Sequence, residues 1–235
     1  MRSYSPTLLN LKVSGDQTLV FLVRHGETGW NRERRIQGQL DVPLGVTGLE
    51  QAAALGDWFG RLGIPIAAVY TSDLERARQT ADALAKGLDL SPMPAHALRE
   101  IHCGEWQGLL ASDIEAAYPE LVQLWRTIVD TCAMVGGESL RAVQERIFAL
   151  YNEVVEKHTG QAIILVTHGA ALSALVAYGS DVELKKYWRE RRLRHDNTGV
   201  TIVLQDRHSY IGQILHTNLV GHLERTEAEV SSSRE

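Results

Sequence analysis

The sequence predicts an α/β fold: a three-layer sandwich with a mainly parallel central sheet and a small helical insertion over one edge of it. Three observations carry that reading. Short apolar runs alternate with segments of helical period, in the order strand, helix, strand, helix, polar excursion, helix, strand, helix. The two sharpest runs, TLVFLV at 18–23 and AIILV at 162–166, lack the polar gaps of a strand with one wet face, so both are expected to be buried on both sides. Each run also stops abruptly at a histidine followed by glycine, His25-Gly26 in the first case and His168-Gly169 in the second.

The elements follow in order. Residues 1–17 read as an N-terminal extension or an edge strand. After the first strand, the loop RERRIQGQLDVPLGV at 32–46 is polar and punctuated by Gly38, Pro43 and Gly45. Thr47 with Glu50 three residues on forms a capping-box pattern, and Leu49, Ala52, Ala53, Gly56 and Phe59 are the expected inner face of the helix it opens. Gly63 and Pro65 end that helix, and IAAVYT at 66–71 is a second buried strand. Ser72 with Glu75 repeats the capping pattern. Leu74, Ala77, Ala81 and Leu84 recur at helical spacing, so Arg76 falls in the first turn, where its side chain leans toward the sheet edge that carries His25.

Residues 91–136 form the insertion: irregular and turn-rich to about 110, then helical over 112–129 with a break near Pro119. Ser139 is the expected cap of a helix through Glu156, with Leu140, Val143, Ile147, Leu150 and Val154 as its buried stripe. Late strands are expected at 199–205 and 209–216. The charged, serine-rich residues 223–235 read as a disordered tail, leaving 18–222 as one domain.

Composition narrows the function. A net charge of -5 and a pI near 6.0 give no electrostatic footprint for nucleic acid or an anionic membrane. Any anion must therefore be captured by a local cluster. Cys103 and Cys132 make no disulfide framework and lie in no metal-binding pattern, which points to a reducing, cytoplasmic setting. The N-terminal stretch lacks the apolar core of a signal peptide, and no apolar run reaches transmembrane length.

What remains is a cationic pocket at the sheet edge. Arg24 beside His25, His168 at the second strand end and Arg76 at a helix start suit a phosphate group, with Asn31 as an amide donor and the helix after His168 aimed at the same place. No HxH, HExxH or carboxylate cluster flanks either histidine, so no metal is expected. Glu100 is a candidate proton carrier, because a bound phosphate dianion would raise its pKa; spacing alone does not select it over Glu27 or Glu105. His102-Cys103 reads as an incidental pair, and the basic run 185–195 as a solvated helix face.

Five blocks in sequence then resemble the histidine phosphatase superfamily, also called the phosphoglycerate mutase-like family. They are Arg24-His25-Gly26-Glu27-Thr28 with Asn31, Ser72 through Ala81 around Arg76, Leu98-Arg99-Glu100 with Gly104-Glu105-Trp106-Gln107-Gly108, Gly136-Gly137-Glu138-Ser139, and Thr167-His168-Gly169. The resemblance implies that His25 is a nucleophile that becomes phosphorylated, and that Arg24, Arg76 and His168 surround the phosphoryl group. It also implies that Asn31, Gln37, Gly38 and Gly169 line the pocket, and that Glu100 protonates the leaving alcohol. No cofactor is implied, and the partner is a small phosphomonoester. The short segment between Glu100 and Gly136, with Arg126 its one clear cation, resembles the phosphatase branch more than the cofactor-dependent mutases. A mutase and a non-catalytic phospho-ligand module are the rival readings; the substrate and the oligomeric state, a homodimer included, stay open.

Overall fold

The computed structural model describes residues 13–179, 195–209 and 212–224. Most of the expected N-terminal extension, most of the tail and the basic run 185–195, apart from His195, lie outside the described residues. Among the described residues, six strands form one sheet: β1 (Gln17–Arg24), β2 (Ile66–Thr71), β3 (Met93–Pro94), β4 (Ala162–Thr167), β5 (Val200–Asp206) and β6 (Gln213–Leu219), in the spatial order β3-β2-β4-β1-β5-β6. The four strands β3, β2, β4 and β1 run parallel, β5 is antiparallel to β1, and β6 is antiparallel to β5. The mainly parallel sheet expected from the sequence is therefore present, with a short edge strand at 93–94 that propensity did not suggest.

Strand alternation builds two cores. From β1, Leu19, Phe21 and Val23 point to one face, where they meet Leu55, Trp58 and Phe59 of helix α2 (Val46–Leu62) and Ala77, Ala81 and Leu84 of α3 (Glu75–Lys86). Val20 and Leu22 point to the other face and pack with α6 (Leu140–Lys157) and α7 (Gly169–Gly179) through Val143, Ile147, Leu172 and Leu175. Burying each such side chain contributes about 1.5–3 kcal/mol. The insertion joins this second core: Leu98, Trp106, Ile114, Val122, Val129 and Met134 are all buried in it, so 91–136 is anchored to the domain rather than laid loosely over it. Its helices are α4 (Ala111–Ala117) and α5 (Pro119–Thr127), divided at Pro119 as the sequence suggests.

Two expected capping boxes are absent, for a physical reason. Helix α2 begins at Val46 with Gly45 as its cap, and the Thr47 hydroxyl accepts from Arg32 Nη2 at 3.2 Å instead. Helix α3 begins at Glu75 with Leu74 as its cap; Asp41, far back in the chain, accepts the Glu75 amide at 2.6 Å, while Ser72 Oγ accepts the Leu74 amide. Ser139 does cap α6, accepting from the Ala142 amide at 3.2 Å. The buried face of α2 is also rotated from the expected one. Leu49 and Ala53 are exposed, and Gly48, Ala52, Leu55, Gly56, Trp58, Phe59 and Leu62 face inward.

The rotation follows from how closely the chain after β1 passes the start of α2. A Cβ on Gly26 would lie 2.6 Å from the Gly48 carbonyl oxygen, and one on Gly48 would overlap the Glu27 carbonyl. Only two glycines permit that approach, and it fixes Gly48 rather than Leu49 against the sheet edge. The last strand starts at Gln213 and not at 209, because Gln205 Nε2 binds the Ser209 carbonyl at 2.6 Å and holds that residue in the turn.

Candidate active site

Register brings the two histidines together. Arg24 pairs with Thr167 across the parallel β1–β4 ladder, so His25 and His168 leave the same sheet edge side by side, with ring centroids 5.1 Å apart and planes tilted by 57°. The sheet anchors the first through its amide, which donates to the Thr167 carbonyl at 3.0 Å. Both side chains are buried, at 3% and 0% exposure.

His25 has a defined tautomer. Its Nδ1 lies 2.7 Å from the Gly26 carbonyl oxygen, which can only accept, so Nδ1 carries the proton and Nε2 keeps its lone pair. Burial first, then the charges of Arg76 and Arg24, hold this imidazole well below its ordinary pKa of 6.5, against an opposing pull from the Gly26 carbonyl. His168 is lowered likewise by burial, Arg76, His25 and Arg24, and neither of its ring nitrogens has a hydrogen-bond partner among the described residues. Two neutral imidazoles between two guanidinium groups make a site with net positive charge and an open lone pair.

The arginines are fixed by carbonyls. Arg24 Nη1 donates to the His195 carbonyl at 2.6 Å. Arg76, 1% exposed, donates from Nη1 to Leu40 at 2.9 Å and from Nη2 to Gly38 at 2.7 Å, and its buried Nε has no partner among the described residues. Burial draws its pKa down to about 10, which leaves it charged at neutral pH. Gly38 presents its carbonyl from a left-handed conformation with φ +51. Gln37 is buried beside it, its Oε1 unpartnered among the described residues.

Asn31 is oriented as a donor. It lies in the short helix α1 (Gly29–Glu33), capped by Thr28, and its Oδ1 accepts from the Thr28 amide and hydroxyl and from Asn197 Nδ2, which leaves Nδ2 as its outward group. Glu100 arrives from the insertion. Its carboxylate accepts the amides of Ile101 at 3.0 Å, Ala170 at 3.1 Å and Ala171 at 3.1 Å. The first amides of α7, expected to face a phosphate, are thus directed at Glu100. Gly169 sits where Arg24 and Glu100 meet, since a Cβ there would lie 3.6 Å from Arg24 Nε and 3.8 Å from Glu100 Oε2. Arg99 grips Asp73 with two bonds of 2.7 Å, tying the Glu100 loop to the start of α3.

Several contributors were invisible to sequence reasoning. Asn197 donates to the His25 carbonyl at 3.0 Å, and Thr198 sends its amide to the Arg24 and His25 carbonyls. Thr80 Oγ1 accepts the Gly26 amide at 3.0 Å. Gln107 Oε1 accepts the Gln39 amide at 2.8 Å, and Arg146 binds the loop before Glu100. Gln107 stood inside a quoted block and Asn197 just before a strand; neither spacing pointed to a partner. Cys103 is buried, with its thiol pushed up to about 12 chiefly by burial, so the His102-Cys103 pair supplies no thiolate at neutral pH. Among the described residues, no group of three His, Cys, Asp or Glu side chains is placed to share an ion, and no helix is long and apolar enough to cross a membrane.

The buried histidines predict acid sensitivity of the fold. His222 donates from Nε2 to Thr198 Oγ1 at 2.9 Å and is lowered by burial to about 4, in the same direction as His25 and His168. Below the unfolded value of 6.5 the unfolded chain takes up protons that the folded one refuses. The stability these groups contribute is therefore complete above about pH 6.5 and falls as pH drops toward their folded values, with His222 alone worth about 3 kcal/mol across that window. Urea midpoints should decline from pH 7.5 to pH 5, and an unchanged or rising midpoint would contradict the buried neutral state.

Known proteins resemble the chain over most of its length. The chain is 36% identical over 170 residues to a metal-independent phosphoserine phosphatase of Arabidopsis thaliana, covering 71% of this chain and 70% of that one. It is 36% identical over 185 residues to a probable phosphoglycerate mutase, GpmB, of Salmonella paratyphi A, covering 77% and 82%. A mycobacterial glucosyl-3-phosphoglycerate phosphatase solved in complex with VO3 superposes with a TM-score of 0.76 at 31% identity, over 85% of this chain and 98% of that one. The family model for the histidine phosphatase superfamily, branch 1, matches residues 20–217, a span that holds both histidines, both arginines and Glu100, and the chain belongs to that superfamily.

Proposed function

We propose that the chain is a phosphoric monoester hydrolase acting on a small phosphorylated metabolite through a phosphohistidine at His25. The observation that carries the reading is the His25 tautomer: Nδ1–H is held by the Gly26 carbonyl, and Nε2 is unprotonated among cations. In the proposed first step the Nε2 lone pair attacks phosphorus and the ester P–O bond breaks. Arg24, Arg76, His168 and the Asn31 amide hold the phosphoryl oxygens, stabilising the charge that spreads over them. Glu100 gives its proton to the departing alkoxide. In the second step Glu100 takes a proton from water, whose oxygen displaces His25 from phosphorus, releasing inorganic phosphate and restoring the enzyme.

The names of the relatives, two phosphatases and one probable mutase, bear on the choice between hydrolysis and phosphoryl shuttling. A mutase must also grip its substrate's carboxylate. Arg126, the clear cation of residues 101–135, is paired with Glu115 on the exposed side of α4 and α5, which favours the phosphatase. A cytoplasmic location fits two free, buried cysteines.

The test is a panel of phosphomonoesters assayed in EDTA: phosphoserine, 3-phosphoglycerate, a glucosylated phosphoglycerate and p-nitrophenyl phosphate. Phosphate release that survives chelation, and 3-phosphoglycerate that is not isomerised when 2,3-bisphosphoglycerate is added, are the expected results. Loss of turnover in EDTA, restored by a divalent ion, would reject the mechanism.

A further inference from the structure

All five N–H donors of Arg146 are committed, and none of them faces the phosphate pocket. Nε and Nη2 form a fork on the two oxygens of Glu138, each at 3.0 Å. Nη1 also donates to the carbonyls of Ala97 at 2.7 Å and Arg99 at 2.8 Å, and Nη2 to the carbonyl of Glu100 at 2.8 Å. Glu138 closes the ring from the other side: its Oε2 accepts the His102 amide at 2.8 Å and its own amide donates to the His102 carbonyl at 2.8 Å. Gln39 Nε2 adds a second donor to the Glu100 carbonyl at 2.9 Å. The main chain is thus gripped at residues 97, 99, 100 and 102, on both sides of Glu100, by one side chain and its counter-ion.

The grip is electrostatically firm. Burial works to raise the Glu138 carboxyl, yet the Arg146 fork and the His102 amide overcome it and hold the pKa below the usual value. An arginine suits this task because its planar fork meets a carboxylate with one edge and carbonyls with the others; a lysine carries the charge without the geometry.

We infer that Arg146, with Glu138, is a positioning residue that sets the Glu100 carboxyl against the leaving oxygen of the ester, while touching neither substrate nor phosphate. The inference rests on the general-acid role proposed for Glu100. Displacing a catalytic group by about 1 Å costs on the order of 10²-fold in rate, so the effect is measurable.

Leaving-group chemistry separates positioning from mere structural support. An alkyl phosphate needs its departing oxygen protonated, whereas p-nitrophenolate leaves without help. Arg146→Met, Arg146→Lys, Glu138→Gln, Glu100→Gln and the double variant Arg146→Met with Glu100→Gln are assayed on p-nitrophenyl phosphate and on the fastest alkyl ester of the panel above. Arg146→Met is expected to lose about 10²-fold in kcat/KM, which reports the phosphorylation step and not the dephosphorylation shared by both esters, on the alkyl ester and under about threefold on the aryl ester, with Arg146→Lys failing to restore it. Added to Glu100→Gln, it should cost nothing further on the alkyl ester. Equal losses in kcat/KM on both esters, or a kcat/KM loss on the alkyl ester that multiplies with Glu100→Gln, would overturn the inference. Glu138→Gln, which keeps the shape and removes the charge, carries the same test if Arg146→Met does not fold. If Glu100→Gln itself does not distinguish the two esters, the general-acid role is what has failed, and the positioning claim falls with it.

Discussion

His25→Ala is expected to abolish turnover, with a loss of about 10⁴-fold or more in kcat, because removing the nucleophile of a covalent mechanism leaves only phosphate binding and charge stabilisation. The wild-type enzyme, mixed with substrate and quenched in alkali, should carry phosphate bound through nitrogen; the variant should carry none. Inorganic phosphate should still bind the variant, since Arg24, Arg76 and Asn31 are held by the His195, Gly38 and Leu40 carbonyls and by Thr28, not by the imidazole. A free imidazole in solution fits the volume vacated between His168 and the Gly26 carbonyl, and should restore part of the activity. Phosphate release by His25→Ala within tenfold of wild type would rule out covalent catalysis at this position. The tautomer can be read independently: nitrogen-15 NMR of the free enzyme should show His25 protonated at Nδ1 and bare at Nε2 at pH 6, because burial and the flanking arginines keep the second proton off.

The parts of this site legible from sequence are those fixed by strands. An apolar run ending in Arg24-His25, and another ending in Thr167-His168, state their own direction and end point, and parallel pairing in register does the rest. Arg76 was legible for a weaker reason, its place in a first helical turn, and it reached the pocket although the expected cap was wrong. The errors share a cause. Thr47 and Ser72 satisfied a local capping pattern, but Asp41 reached the Glu75 amide across 34 positions of sequence and Arg32 took the Thr47 hydroxyl, so tertiary contacts overrode local ones. Asn197, Gln107 and Arg146 act on main-chain groups, the carbonyls of His25, Ala97, Arg99 and Glu100 and the amide of Gln39. Main-chain partners leave no mark in residue type, and so no spacing rule finds them.

Arg76→Met should have the second largest effect, and it should be a double one. The side chain is proposed to hold the phosphoryl group, and it also staples the loop 37–41 through the Gly38 and Leu40 carbonyls. Removing one charge-assisted donor from a transition state costs on the order of 10²–10³-fold in kcat. Leaving two carbonyls without their donor costs a further 1–3 kcal/mol or so of stability for each that stays buried. The two losses can be separated. Activity should fall about 10³-fold at temperatures where the variant is fully folded, while the urea midpoint drops and the loop becomes open to proteolysis after Gln37 and Leu40. Arg76→Lys should recover little of either, because a single ammonium cannot span Gly38 and Leu40 and still turn a donor toward the phosphate. A folded Arg76→Met variant with near-normal kcat and an intact loop would mean that the charge at this sheet edge is supplied by Arg24 alone, and that the two-guanidinium pocket is not what drives phosphoryl transfer.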